Sequence, residues 1–421
     1  MLVRFIDLTE ILMASTLTWL DYSEHERRTM LDVIELFGDK TTRDELGIGG
    51  IRDAFADMLF PGTSTIQTAA KYFLLVPWGY LSLEAKRVAS DQARARGRAL
   101  EIKIASVLTE AGETKRVIGR LAKERLQRLP SSVYWQGLQT WGIRRFEGFP
   151  DAYYRSLDQF YVRLKCAHAK SADFDGESLE AMPLNWDAGL PAIPDDFPNN
   201  LQLALTPLEA EYLRERVITN CSESLLAYLL REQTPIDNES FAWDLQLDLP
   251  DHLTEWLHHG RLFSEAMHGA QLIYNLILAE LRQWQDKINF YREALDGWCD
   301  LVRERRDLLA DWSLERLWQI VSLGNPRISQ PAKSFVERWV ELLRTTPDPA
   351  DLVTSSVART LICDREIAIK HKLARVLGGR SLDIWQGESG AAQLDLRWFS
   401  TRRILTDILV GLEAGNLVGT E

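Results

Sequence analysis

Apolar residues recur at helical spacing along most of the chain. A capping box of Ser23 and Glu26 precedes apolar residues between positions 30 and 37, and a second apolar stripe runs from Ile51 to Leu59. Alternating apolar and polar residues, which are typical of half-buried strands, are scarce. The pattern therefore predicts a mainly α fold.

The middle of the chain departs from this pattern between about 173 and 207. Prolines there remove backbone donors and prevent long helices; they stand at positions 183, 191, 194, 198 and 207. Helical spacing resumes at Pro207 and runs through Arg231, and further helices are expected at about 251–269 and 270–310. We therefore expect four consecutive regions: an N-terminal helical region at 1–85, a basic winged-helix-like module at 86–150, an acidic proline-rich connector with one or two helices at 151–250, and a C-terminal helical domain at 251–421.

Length and composition favour a multidomain cytoplasmic protein. A chain of 421 residues is longer than one hydrophobic core usually accommodates. The uncharged stretch at residues 72–83 is too short to cross a membrane. The four cysteines are widely spaced and include no Cys-x-x-Cys pair, which suits a reducing compartment.

Charge is distributed unevenly along the chain, whose net charge is -12. Residues 86–145 contain 14 basic and 5 acidic residues, whereas residues 173–255 contain 18 acidic and 3 basic residues. A basic block in an acidic protein is typical of a phosphate-binding surface, because the acidic surroundings repel DNA elsewhere. The alternative is that the two blocks face each other, or that the arginines form only a solvated helix face.

A short helix is expected at about 117–126 within the basic block, and a second helix follows at about 132–141. Ser131 is suited to cap it, and Gly142 is suited to end it. Tyr134, Leu138 and Trp141 share one face at helical spacing, which leaves polar positions pointing outward.

Outward Ser, Gln and Thr side chains beside basic residues are typical of the recognition helix of a helix-turn-helix or winged-helix module. In that role the glutamines read base edges and the basic residues hold phosphates. The predicted DNA-binding residues are Lys123, Arg125, Arg128, Ser132, Trp135, Gln136, Gln139, Thr140, Arg144 and Arg145.

Three short patterns match parts of catalytic or metal sites without the partners that such sites need. The segment His168–Lys170 has the spacing of a phospholipase D motif, but that chemistry needs two copies. Asp91 with Glu101–Lys103 matches a nuclease pattern whose carboxylates belong on strands, whereas the flanking sequence is helical. The segment Glu265–His268 has the Glu-x-x-His spacing of di-iron helical bundles, but such a site needs two of these pairs and two further carboxylates. We therefore expect no catalytic residues, cofactor or metal, and an enzyme is the least favoured class.

Three passages carry a resemblance to a known family: Trp19–Ser23 with Asp44–Gln67, Leu129–Trp135, and Trp385–Gly390 with Leu394–Trp398. They resemble a bacterial family of unknown function over nearly the whole chain, from about Ser15 to Leu412, with Met13 as an alternative start. This family resembles others found in phage-defence gene clusters beside helicases and phospholipase D-like nucleases. The resemblance implies an accessory role near DNA and supplies no catalytic residues.

These observations favour a non-catalytic DNA-binding or DNA-sensing accessory subunit of a bacterial anti-phage defence system. Its expected partners are double-stranded DNA and the helicase or nuclease subunits of the same system, with no membrane contact. The alternative is a protein-interaction scaffold or adaptor, whose basic block docks an acidic partner or the chain's own acidic connector. The position of the basic block relative to the acidic connector distinguishes the two.

Overall fold

The computed structural model describes residues 44–113, 116–120, 128–173, 184–236 and 239–418, with side chains in the helix that ends at 173 described as far as residue 167. These ranges are mainly helical and contain no strand; an isolated antiparallel bridge joins Arg144 and Trp186. The predicted mainly α fold is confirmed. The predicted capping box of Ser23 and Glu26 lies outside the described residues.

The helices are α1 (Gly49–Leu59), α2 (Tyr72–Ala85), α3 (Ser90–Glu110), α4 (Pro130–Thr140), α5 (Pro150–Asp173), α6 (Pro207–Asn220), α7 (Leu225–Arg231), α8 (Asp251–Leu281), α9 (Gln285–Glu304), α10 (Arg306–Asp311), α11 (Leu314–Gly324), α12 (Gln330–Thr345), α13 (Pro349–Thr354), α14 (Ser356–Lys370), α15 (Arg380–Asp383) and α16 (Trp398–Val418). Short 3-10 helices span Ala242–Asp244, His371–Leu373 and Arg375–Leu377. Within the part of the chain described here, none of these helices combines the length and the apolar character needed to cross a bilayer.

The chain divides into two compact units, each assembled from segments that are distant in sequence. Of the described residues, the first unit takes those between 44 and 49, 265 and 312, and 329 and 393. The second unit takes those between 50 and 264, 313 and 328, and 394 and 418. The expectation from composition was instead four consecutive regions.

Tryptophans and a glycine build the core of the first unit. The rings of Trp298 on α9 and Trp339 on α12 stack with centroids 6.3 Å apart. Their indole N–H groups donate to the carbonyls of Glu265 and Ala266 at 2.9 and 2.8 Å. Gly269 lies against the Trp298 ring. Helix α8 continues past the expected boundary at 269 and ends at Leu281.

The second unit incorporates the proline-rich passage into its core. Residues 184–206 form no helix, as expected, yet Trp186, Leu201 and Leu203 are buried. The single helix expected from Pro207 to Arg231 is two helices, because the chain breaks after α6 and the hydroxyl of Ser224 caps α7.

An aromatic cluster fixes α2, α4 and α5 in the second unit. The Tyr80 ring on α2 lies at its centre, with ring centroids 4.9 to 5.5 Å from those of Trp135, Tyr153, Tyr154 and Trp186. Edge-to-face and offset aromatic pairs of this kind add to the free energy gained by burying the rings. Within the basic block, this cluster buries Trp135.

Candidate nucleic-acid interface

Helix α4 begins at Pro130, two residues before the expected start. Hydrogen-bond donors in its first turn bind a side chain of another helix. Ser131 was expected to cap α4, but it is buried and lies inside the helix. Its backbone N–H and its hydroxyl both donate to the carboxylate of Glu101 on α3, at 2.7 and 2.8 Å. The capping group is therefore a carboxylate, which is favourable at the positive end of a helix.

The predicted core face of α4 is confirmed. Tyr134, Leu138 and Trp141 are fully buried, and the Trp141 ring stacks on Phe73 of α2 with centroids 3.8 Å apart. The helix ends before Gly142, whose φ of +66° lies in the left-handed region that favours glycine.

Trp135 was predicted to point outward towards DNA, and this prediction is wrong. The side chain is 6% exposed, because it enters the aromatic cluster around Tyr80. Its indole N–H donates to the carbonyl of Gly148 at 2.7 Å. Helix α4 is therefore covered on two sides. The spacing of its apolar residues predicts only one of them.

Arg144 was predicted to hold a phosphate, but the residue is buried, with 3% of its surface exposed. It donates to the carbonyls of Trp135 and Gly148 at 3.2 Å each, and also to the carbonyl of Phe146. It also donates to Gln139 Oε1 at 2.5 Å and lies 4.5 Å above the Trp135 ring. Burial lowers the pKa of this guanidinium. Arg144 therefore holds the loop after α4 in place.

Several of the other predicted residues remain accessible. Ser132, Gln136 and Gln139 are exposed on α4, and Thr140 is partly exposed. Arg145 is exposed and forms an ion pair with the buried Asp187 at 2.8 Å. Arg128 is partly exposed, whereas Lys123 and Arg125 lie outside the described residues.

The helix expected before α4, at about 117–126, is absent from the part that is described. Residues 118–120 form a turn, and 121–127 lie outside the described ranges. The side chain of Arg116 anchors this turn, since its Nε donates to the carbonyl of Thr68 at 2.8 Å and its guanidinium pairs with Asp407.

The most exposed part of the basic block lies on and just before α3. Its basic side chains, here called the α3 basic face, are Lys86, Arg87, Arg94, Arg96, Arg98 and Lys103; all are exposed except Arg98, which is partly exposed. Over the same residues the exposed acid is Asp91, whereas Glu101 is buried against Ser131. Sequence reasoning had included these residues in the basic block but had not chosen them as contact residues.

Helical geometry arranges these cations in two rows. Arg94 and Arg98 are one turn apart on the flank that faces α5, where Arg94 Nε lies 3.5 Å from Asp151. Arg96 and Lys103 follow each other on the opposite flank, where their polar contacts are to the neutral side chains of Gln92 and Asn199. The small residues Ala95 and Ala99 are exposed between the rows. An extended anion can therefore approach this helix closely with cations on both sides.

Helix α5 packs against α3 and extends the positive surface. It exposes Arg155, Arg163 and Lys165, together with Asp158. The two helices run antiparallel, because Ser90 on α3 contacts Asp158 while Arg94 contacts Asp151.

The acidic connector contacts the basic block at several points in the second unit. Asp187 pairs with Arg145 at 2.8 Å and with Arg216 at 3.5 Å. The amide oxygen of Asn199 accepts from Lys103 at 2.7 Å. Earlier on α3, Arg94 Nε lies 3.5 Å from Asp151, and the backbone N–H of Ser90 donates to Asp158 at 3.1 Å.

The nuclease-like pattern is separated by helical geometry. Asp91 and Glu101 lie ten residues apart on α3, which corresponds to about 15 Å along the helix axis. Asp91 is exposed, whereas Glu101 is buried and bonded to Ser131, so the two carboxylates cannot share a metal ion. No group of three potential metal ligands occurs among the described residues. His168 and Lys170 lie on α5, but their side chains are outside the described part.

The first unit contains a cleft of about 260 Å³. Its floor is a buried ion-pair cluster in which Glu45 accepts from Arg375 at 2.7 Å and also pairs with Lys370. Its rim carries two exposed aliphatic side chains, Leu373 and Ile384. The opposite charges on the floor neutralise each other, whereas the rim offers apolar surface.

The geometry thus defines a mainly helical protein of two units, each built from segments that are distant in sequence, with a positively charged helix in one unit and an apolar-rimmed cleft in the other. The model of the family DUF6361, described as a family of unknown function, matches residues 14–411. Since this match covers almost the whole chain, the protein belongs to DUF6361. No curated protein and no solved structure matches the chain.

Proposed function

We propose that the protein is a non-catalytic DNA-binding accessory subunit whose main contact surface is the α3 basic face. The observation that carries this proposal is the double row of cations on α3 together with Lys86 and Arg87 just before it; between residues 86 and 103 one exposed acid, Asp91, accompanies these six basic residues. Nucleic-acid affinity depends largely on such phosphate contacts. The resemblance to families of phage-defence clusters supports the setting of this role in an anti-phage system.

The exposed polar residues of α4 are proposed as a secondary contact. Gln136 is exposed and can approach base edges, whereas the Ser132 hydroxyl also donates to the Leu129 carbonyl at 2.7 Å and Gln139 also accepts from Arg144. A helix-turn-helix module in this region would need the helix expected before α4, at about 117–126. The double row on α3 does not depend on it.

The proposal is tested by fluorescence anisotropy with a labelled DNA duplex at several salt concentrations. Changing Arg94 and Arg96 together to Ala should weaken binding and reduce the slope of log affinity against log salt by about 1.8, or 0.9 for each lost phosphate contact. The matched control changes Arg327 and Arg338 together to Ala, since both are exposed and the net charge changes equally. Equal weakening by both double variants contradicts a specific α3 site. A wild-type protein that binds no DNA at about 50 mM salt overturns the proposal.

A second candidate function is an adaptor that docks a helicase or nuclease subunit. The cleft of the first unit favours it, because Leu373 and Ile384 are 72% and 62% exposed at its rim. Co-purification of the tagged chain with a helicase or nuclease encoded beside it should be lost when both residues are changed to Ser. Retention of the partner by this variant contradicts docking at the cleft.

A further inference from the structure

Phe149 is an exposed aromatic side chain beside the Arg94 flank of the α3 basic face. The residue immediately precedes α5 and is 80% exposed. Two residues later, Asp151 lies 3.5 Å from Arg94. An aromatic ring and a row of cations are thus presented by adjoining parts of the same unit.

The loop that presents Phe149 is held by buried groups. Its carbonyls at Phe146 and Gly148 accept from the guanidinium of Arg144, and the Gly148 carbonyl also accepts from the indole of Trp135 at 2.7 Å. The φ of +114° at Gly148 turns the chain between these anchors and Phe149. The carbonyl of Phe149 itself accepts from the N–H of Tyr153 at 3.1 Å in the first turn of α5. Backbone anchors on both sides therefore fix the position from which the ring projects.

Exposure alone would not distinguish Phe149, because isolated apolar residues are common on protein surfaces. Two features distinguish it from an exposed aliphatic residue such as Val162 on α5. Its loop is anchored through buried Arg144 and Trp135, and it adjoins the double row of cations. A fixed aromatic ring beside a cationic track is the combination that binds single-stranded nucleic acid, because the track follows the phosphates while the ring stacks on a base.

We propose that Phe149 stacks on an unpaired nucleobase of a strand whose phosphates run along the α3 basic face. This inference rests on the proposed function and specifies the ligand as a nucleic acid with unpaired nucleotides. A base within a duplex is already stacked on both sides, so the ring contributes only where a strand is single or has an unpaired end. The aromatic contact has no charge and therefore does not affect the salt dependence.

The test compares wild-type protein with Phe149→Ala, Phe149→Leu and Phe149→Trp, using an oligothymidylate of about 16 nucleotides and a duplex of the same length. Phe149→Ala should lower the affinity for oligothymidylate about 5- to 150-fold, the range expected for loss of one stacked base. The salt slope and the affinity for duplex should remain unchanged. Phe149→Trp should retain the affinity, whereas Phe149→Leu should lose it. An oligouridylate of the same length distinguishes RNA from DNA as the source of the unpaired bases.

Val162→Ala is the matched control, because Val162 is 62% exposed on the neighbouring helix and should not contact the strand. Phe149→Leu binding as tightly as wild type would show a general apolar contact and overturn the stacking proposal. If every Phe149 variant binds like wild type while the Arg94 and Arg96 double variant still flattens the salt slope, the stacking proposal is wrong and the proposed function stands. If wild type binds neither probe, both are wrong. Urea unfolding midpoints equal to that of wild type show that the Phe149 variants remain folded.

Discussion

The carboxylate of Glu101 accepts hydrogen bonds from both the backbone N–H and the hydroxyl of Ser131, at 2.7 and 2.8 Å. This contact joins the middle of α3 to the first turn of α4. Burial raises the pKa of Glu101 to about 7, although the hydrogen bonds from Ser131 act in the opposite direction. Removal of a carboxylate from water therefore outweighs its hydrogen bonding at this position.

Stability should consequently decrease as the pH rises from about 4.5 to about 7. The folded chain binds the Glu101 proton more tightly than the unfolded chain. The stabilising contribution of this proton is therefore fully present below about pH 4.5 and is lost as the pH rises through about 7. The contribution is about 3 kcal/mol in the free energy of unfolding, from 1.36 kcal/mol per pKa unit. Urea unfolding followed by tryptophan fluorescence at a series of pH values measures it.

Glu101→Gln should flatten this pH profile, since the amide does not titrate. Asp91→Asn, which removes an exposed carboxylate from the same helix, is the control and should leave the profile unchanged. A Glu101→Gln profile as steep as that of wild type would show that other groups cause the pH dependence.

Arg144→Ala should destabilise the second unit without removing a phosphate contact. The guanidinium satisfies backbone carbonyls and packs on Trp135, so its loss should lower the free energy of unfolding by about 2–4 kcal/mol. The salt slope of DNA binding should stay unchanged in the fraction that remains folded. Gln136→Ala, at an exposed position of α4, should change stability by less than about 0.5 kcal/mol. A stable Arg144→Ala variant with a flattened salt slope would instead place this side chain on the nucleic acid.

Two glycines of the first unit should respond to alanine in opposite directions. A Cβ at Gly269 would overlap the Trp298 ring, so Gly269→Ala should lower the free energy of unfolding by about 1–3 kcal/mol. A Cβ at Gly297, within α9, would meet open space. Gly297→Ala should therefore stabilise the protein by about 0.4–1 kcal/mol, chiefly by restricting the unfolded chain. Equal urea midpoints for the two variants would contradict the tight packing at Gly269.

Helical spacing predicts the core face of α4 but not how many other segments of the chain pack against the helix. Tyr134, Leu138 and Trp141 lie on the expected face, and all are buried. Trp135 lies on the side expected to be outward, yet it is buried, because the aromatic cluster and the loop through Gly148 cover that side as well. Burial at such a position depends on segments that pack from elsewhere in the chain.

Charge counting locates the basic block but does not assign a partner to each cation. Arg144 and Arg145 are adjacent in sequence, yet Arg144 binds backbone carbonyls inside the protein while Arg145 is exposed beside Asp187. Arg94 and Arg96, which sequence reasoning did not select, lie on the exposed flanks of α3. The signal in the sequence was that these two arginines flank Ala95, which places them on different sides of a helix.

The sequence by itself determined the helical character of the chain, the core face of α4, its end before Gly142 and the concentration of positive charge in residues 86–145. These properties follow from the order of neighbouring residues, which fixes local hydrogen bonding and helical periodicity. Tertiary structure alone decided that Arg144 is internal, that Phe149 projects beside the basic face, and that the two units combine distant segments. Burial and pairing are set by whichever surfaces meet in the folded chain, and residues far apart in the sequence supply those surfaces.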